Sequence, residues 1–65
     1  MNAPSLFPLT AAEHLAALSA FIGQELGHRQ SMLWKHPERA DYWQERIDQA
    51  LAALRHVEAV GRALP

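Results

Sequence analysis

The sequence predicts an all-α protein in which two amphipathic helices fold back on each other as an antiparallel hairpin behind an extended N-terminal arm. Three observations support this fold class. Alanine, leucine and charged or amide residues make up most of the 65 residues, and this composition favours helices. Large apolar side chains recur at helical spacing in two long segments, residues 11–34 and 37–63. Between these segments, a short stretch that contains a proline is typical of a turn.

The arm, residues 1–9, is expected to be extended because Pro4 and Pro8 each disfavour a helical conformation in the preceding residue. It carries three large apolar side chains, Leu6, Phe7 and Leu9. We therefore expect the arm to lie against a helix surface. The alternative is a frayed chain terminus.

The first helix is expected to span residues 11–34. Thr10 and Glu13 have the spacing of a capping box, in which each side chain accepts a hydrogen bond from the other residue's backbone amide. The apolar stripe of this helix consists of Leu15, Leu18, Ile22, Leu26 and Leu33, with Phe21 and Met32 flanking it. Arg29 falls within the stripe where a leucine would be expected. Either its stem packs while its guanidinium reaches solvent, or the guanidinium pairs with a carboxylate.

Two glycines lie four residues apart on a different face of the first helix. Gly23 and Gly27 share this face with Ala16 and Ala20. Because a glycine inside a helix costs about 0.5–1 kcal/mol relative to alanine, two of them suggest close approach by another backbone or by the arm. The alternatives are a bend, or a break in the helix near Gly27.

The second helix is expected to span residues 37–63. Pro37 suits the first helical position, where its missing N–H costs nothing, although Asp41 is a second possible start. Ala40 and Trp43 begin an apolar stripe that continues at helical spacing through Ile47, Leu51, Leu54, Val57 and Gly61. The stripe is widened on one side by Tyr42, Ala50, Ala53, Val60 and Leu64. The opposite face is mostly charged and polar. A stripe this broad is typical of a helix with more than one neighbour.

Chain length predicts association. Residues 1–65 form one domain, and chains below about 70–80 residues rarely bury enough apolar surface to be stable without a disulfide, a metal or a partner. The sequence contains no cysteine. We therefore expect a homo-oligomer, with two hairpins forming a four-helix bundle about a two-fold axis, or a complex with another protein. The expected core or dimer face comprises Leu15, Leu18, Ile22, Leu26, Leu33, Ile47, Leu51, Leu54, Val57, Val60 and Leu64.

A group of side chains near the turn is a candidate partner-binding site. It consists of Trp34, Arg39, Tyr42 and Trp43. Tryptophan, tyrosine and arginine are the residues that dominate binding hot spots, and Arg39 lies one turn before Trp43, within cation–π range. The alternative interpretation is that these rings close the end of the hairpin core.

Catalytic, metal and cofactor sites are not expected. No two of the four histidines stand at i,i+3 or i,i+4 spacing, and no serine has a histidine in a recognisable pattern. The net charge of −1 and the single lysine give no basic surface, so nucleic-acid binding is disfavoured. No apolar run is long enough to span a membrane. A cytoplasmic location is the default expectation.

In shape, the predicted architecture resembles the small dimeric helical hairpins typified by the plasmid copy-number regulator Rop. No motif is shared, and the RNA-binding role is not carried over because the basic face is missing. The functional hypothesis is a non-enzymatic protein–protein interaction module: an adaptor, inhibitor or regulatory subunit, with a phage or plasmid origin that would fit its size. The alternatives are an accessory structural subunit that is stable only within a larger complex and a regulatory nucleic-acid-binding protein.

Overall fold

The computed structural model describes residues 9–64, which form an antiparallel hairpin of two helices. Helix α1 spans Ala11–Lys35, a single 3-10 turn spans Pro37–Arg39, and helix α2 spans Ala40–Ala63. The prediction of an all-helical hairpin is confirmed. Most of the arm, including Leu6 and Phe7, lies outside the described residues. The pairing of two hairpins into a four-helix bundle stays a prediction.

Helix α1 begins with the capping box that the sequence predicts. The backbone amide of Glu13 donates to Thr10 Oγ1 at 3.1 Å, and the backbone amide of Thr10 donates to Glu13 Oε1 at 2.8 Å. The hydrogen bond that the Glu13 carboxylate accepts from the Thr10 backbone amide lowers the pKa of this carboxyl, and the neighbouring Thr10 hydroxyl lowers it further. Leu9, the last residue of the predicted arm, has 52% of its surface exposed. The expectation that it packs against a helix is therefore wrong for this residue.

Helix α1 runs without a break through both of its glycines. The expected close approach at Gly23 and Gly27 is not present within residues 9–64. Apart from the neighbouring residues and backbone of α1 itself, no described atom lies within 4 Å of the position that a Cβ would occupy on either glycine. The small-residue face therefore points into open space in the described part of the chain. Both glycines are exposed, and each favours the helical conformation less than alanine would.

The connection between the two α-helices is longer than predicted. Helix α1 ends at Lys35 and is capped by His36, whose carbonyl oxygen accepts a hydrogen bond from the backbone amide of Arg39 at 2.9 Å. Pro37 occupies the first position of the 3-10 turn, and α2 begins at Ala40 rather than at residue 37. The difference arises because three residues wound as a 3-10 turn change the chain direction before regular α-helical hydrogen bonding begins.

The contact between the helices is a narrow seam. In α1 the half-buried seam positions are Leu15, Ser19, Ile22, Leu26, Arg29 and Leu33, which alternate in steps of four and three. In α2 the matching positions are Ala40, Trp43, Ile47, Ala50, Leu54 and Val57. This spacing is typical of coiled-coil packing. Of the described residues, Ile47 and Ala50 alone are buried, each with 5% of its surface exposed.

The seam uses only part of the apolar surface that the sequence supplies. Leu18 and Val60, which belong to the expected core or dimer face, are both exposed in the hairpin, as is the flanking Phe21. A single layer of two helices covers one side of each helix only. The rest of the apolar stripe is left without a neighbour in the described chain.

Candidate functional site

Arg29 joins the two helices across the seam. Its Nη1 donates to the backbone carbonyl oxygen of Arg46 in α2 at 2.7 Å, while Nη2 lies 3.5 Å from Glu25 Oε1, one turn earlier in α1. Its side chain is about three-quarters covered, since 24% of it remains exposed. Both alternatives for Arg29 are therefore partly right: the stem packs, and the guanidinium pairs with a carboxylate. Its strongest contact, to a backbone carbonyl, was not anticipated.

The aromatic residues of α2 form a cluster of perpendicular rings. The Tyr42 and Trp43 ring centroids lie 5.0 Å apart at an interplanar angle of 88°, and His28 of α1 packs against Trp43 at 6.3 Å and 89°. Edge-to-face geometry of this kind is favourable for aromatic pairs. Trp43 is half-buried in the seam, and its Nε1 is covered and has no hydrogen-bond partner among residues 9–64. Trp43 thus packs the end of the hairpin core, as the alternative interpretation proposed.

The expected cation–π contact between Arg39 and Trp43 is not formed, and Arg39 stacks on Tyr42 instead. Its Cζ lies 4.5 Å from the centroid of the Tyr42 ring, and the Cζ of Arg46 lies 4.6 Å from the same centroid. The reason is the orientation of the two rings. Trp43 turns into the seam, whereas Tyr42 is exposed and can be reached by guanidinium groups that remain in water.

Trp34 stands apart from this cluster. Its surface is 86% exposed, and it lines an apolar groove of about 480 Å³ together with Leu33, Pro37 and Ala40. We call this surface the Trp34 groove. Within residues 9–64 Trp34 has no aromatic partner. The four residues predicted as one partner-binding group therefore separate into the Trp34 groove and the Arg39–Tyr42–Trp43 cluster.

A second groove lies between the helices on one broad side of the hairpin. It has a volume of about 290 Å³ and is lined by Phe21, Ile22, Glu25, Arg29, Gln49, Ala50 and Ala53. Phe21 stands at its edge with 62% of its surface exposed. Leu18 lies one turn before Phe21 in α1, and Val60 lies two turns after Ala53 in α2, so both extend the same side. We call this side, the groove with Leu18 and Val60, the Phe21 face.

The sequence predicts Phe21 only as a flank of the apolar stripe and does not predict a groove. The spacing of Ile22 and Arg29 could have indicated this side of the helix. Both residues lie at seam positions, so Phe21, one residue before Ile22, lies off the seam and faces outward. Ser19 lies outside the predicted apolar stripe, yet it is half-buried at a seam position.

Among residues 9–64, no group of three or more histidine or acidic side chains is placed so that it could hold a metal ion. Neither of the two helices in that range has the length and apolar character needed to cross a membrane.

The fold and these surfaces define a small helical hairpin that leaves large apolar side chains exposed at its turn and on one broad side. Comparison of the chain with protein-family models, with curated proteins and with solved structures found no match.

Proposed function

We propose that this chain is a non-enzymatic protein–protein interaction module that binds a partner protein at the Trp34 groove. The observation that carries the proposal is a tryptophan with 86% of its surface exposed beside an apolar groove. A tryptophan in such a position contributes little to the stability of the hairpin itself, because most of its side chain stays in water. Tryptophan is enriched among the residues whose truncation costs a complex more than about 2 kcal/mol.

The groove suits an apolar anchor from the partner. Leu33, Pro37 and Ala40 contribute an apolar floor, and the 3-10 turn that contains Pro37 fixes the backbone beside it. Pro37 and the helix end restrict the groove before binding, so less conformational entropy is lost when a partner docks. An adaptor, an inhibitor or a regulatory subunit acting in the cytoplasm would each use such a surface.

The proposal is tested by affinity capture from the host with wild-type protein, a Trp34→Ala variant and a Gln24→Ala control. Gln24 is an exposed residue of α1 that lines neither groove. We expect Trp34→Ala to keep the helix content but to weaken binding of the captured partner by at least about 30-fold, as loss of a hot-spot residue does. Gln24→Ala should bind as the wild type does. A Trp34→Ala variant that retains every partner at unchanged affinity would contradict the proposal.

The alternative function, an accessory subunit that is stable only within a larger complex, is favoured by the small core. Ile47 and Ala50 are the two buried residues of the described chain, and a single seam of this size supplies little stabilisation. The two functions differ in the behaviour of the isolated chain. An interaction module is helical and melts cooperatively at micromolar concentration, whereas the accessory subunit gains its helices only when its complex is reconstituted.

A further inference from the structure

We propose that a second copy of this chain docks on the Phe21 face, with the Phe21 ring of each copy inserted beside Ala50 and Ala53 of the other. This inference goes beyond the proposed function. It concerns a different surface, because the Phe21 face and the Trp34 groove share no lining residue. Each surface could exist without the other.

The Phe21 face is self-complementary. It contains a protruding ring, Phe21, and a groove whose floor includes two alanines, Ala50 and Ala53, on the same side of the same molecule. A two-fold interface requires this arrangement, since the surface that offers the knob must also offer the hole. The groove volume of about 290 Å³ exceeds the ~150 Å³ of a cavity that holds a benzene molecule, so a phenyl ring fits.

The polar groups of the groove do not oppose such contact. Glu25 and Arg29 form an ion pair in which Glu25 Oε1 and Arg29 Nη2 lie 3.5 Å apart. Gln49 is uncharged. Arg29 is further occupied by the carbonyl of Arg46. Covering the groove with a second copy therefore places no unpaired charge from these lining residues in the interface, which would cost several kcal/mol. A polar margin around an apolar centre is the usual arrangement of a protein interface.

The broad side as a whole, with its polar margin, has close to the area that a stable dimer buries. Two helices of about 25 residues, each roughly 37 Å long and 10 Å wide, present a broad side of on the order of 700 Å². A standard interface buries about 800 Å² on each partner. Docking would also cover the exposed side chains of Leu18 and Val60, which the hairpin cannot cover by itself.

Photo-cross-linking tests the contact directly. The probe p-benzoylphenylalanine replaces Phe21 and preserves an aromatic ring there, and this protein is mixed with heavy-isotope-labelled wild-type chain. We expect light-to-heavy cross-links into the α2 segment that contains Ala50 and Ala53. The matched control carries the probe at Trp34, where no cross-link to that segment should form. Equal cross-linking from both positions, or cross-links from position 21 confined to its own chain, would overturn the proposal.

A second measurement follows the dimer itself. Phe21→Asp should raise the dimer dissociation constant by at least about 30-fold, whereas Trp34→Asp should leave it unchanged. Sedimentation equilibrium gives both constants. A Phe21→Asp variant with the wild-type constant would refute docking on this face. The outcome is separable from the proposed function, since loss of a foreign partner in Trp34→Ala does not alter self-association.

Discussion

Arg29 is a charged residue in an apolar seam, and its guanidinium has hydrogen-bond partners there. Its guanidinium reaches the carbonyl oxygen of Arg46 at 2.7 Å, and its stem covers apolar surface between the helices. A charged group that donates to a carbonyl is worth more than a neutral hydrogen bond, about 1.5–3 kcal/mol. The hydrogen bond also joins a particular position of α1 to a particular position of α2, so it favours the observed register of the helices.

Two substitutions separate these contributions. Arg29→Ala removes both the stem and the hydrogen bond, and we expect it to lower the free energy of unfolding by about 2 kcal/mol. Arg29→Met keeps an unbranched apolar stem in the seam and should recover at least half of that loss. Urea denaturation at one fixed protein concentration measures both. If the two variants are equally destabilised, the stem contributes nothing and the account of Arg29 is wrong.

The capping box predicts a pH dependence. Hydrogen bonds from Thr10 lower the pKa of Glu13, so the folded state favours the carboxylate. Its contribution is present above the ordinary pKa of 4.5 and is lost as the pH falls through the lowered folded-state value. We therefore expect the stability difference between wild type and Glu13→Ala to be largest at neutral pH and to shrink in acid. Unfolding free energies of both proteins between neutral and acidic pH check this, and a constant difference would contradict it.

At the scale of the helix, the glycines of α1 provide the clearest prediction. Apart from the neighbouring residues and backbone of α1, no described atom lies within 4 Å of a Cβ built on Gly23 or Gly27, and both residues are in regular helix. Replacing either by alanine should therefore raise the free energy of unfolding by about 0.5–1 kcal/mol. Thermal and urea unfolding of Gly23→Ala, Gly27→Ala and the double variant measure the gain. Destabilisation would mean instead that another backbone packs against this face.

Parts of the helices that depend on local contacts could be predicted from the sequence. Thr10 and Glu13 are three residues apart, so the capping box needs no knowledge of the rest of the fold. The 3-10 turn at Pro37 and the stacking of Arg39 on Tyr42 could not be predicted. Both depend on how the second helix turns against the first, and sequence spacing alone allows Arg39 to reach either Tyr42 or Trp43.

At the scale of the whole molecule, the sequence could not predict which apolar residues form the core and which stay exposed. A broad apolar stripe shows that Leu18, Ile22 and Leu26 share one side of α1, but not which of them the second helix covers. The seam passes over Ile22 and Leu26 and leaves Leu18 exposed. The total apolar surface was therefore predictable, while the location of the uncovered part required the position of α2.

The uncovered apolar surface is the property on which both proposed interactions depend. Two of the described residues are buried, and several large apolar side chains are exposed. Such a hairpin gains stability from any contact that removes the exposed apolar surface from water. Because a bound copy stabilises the folded chain by mass action, helix content and association should be linked.

The most direct test is sedimentation equilibrium of the purified chain over a wide concentration range, with circular dichroism recorded on the same samples. We expect a dimer mass at high concentration, and a joint loss of dimer mass and of helical signal on dilution. A compact monomer that melts cooperatively at the same temperature at every concentration would contradict it.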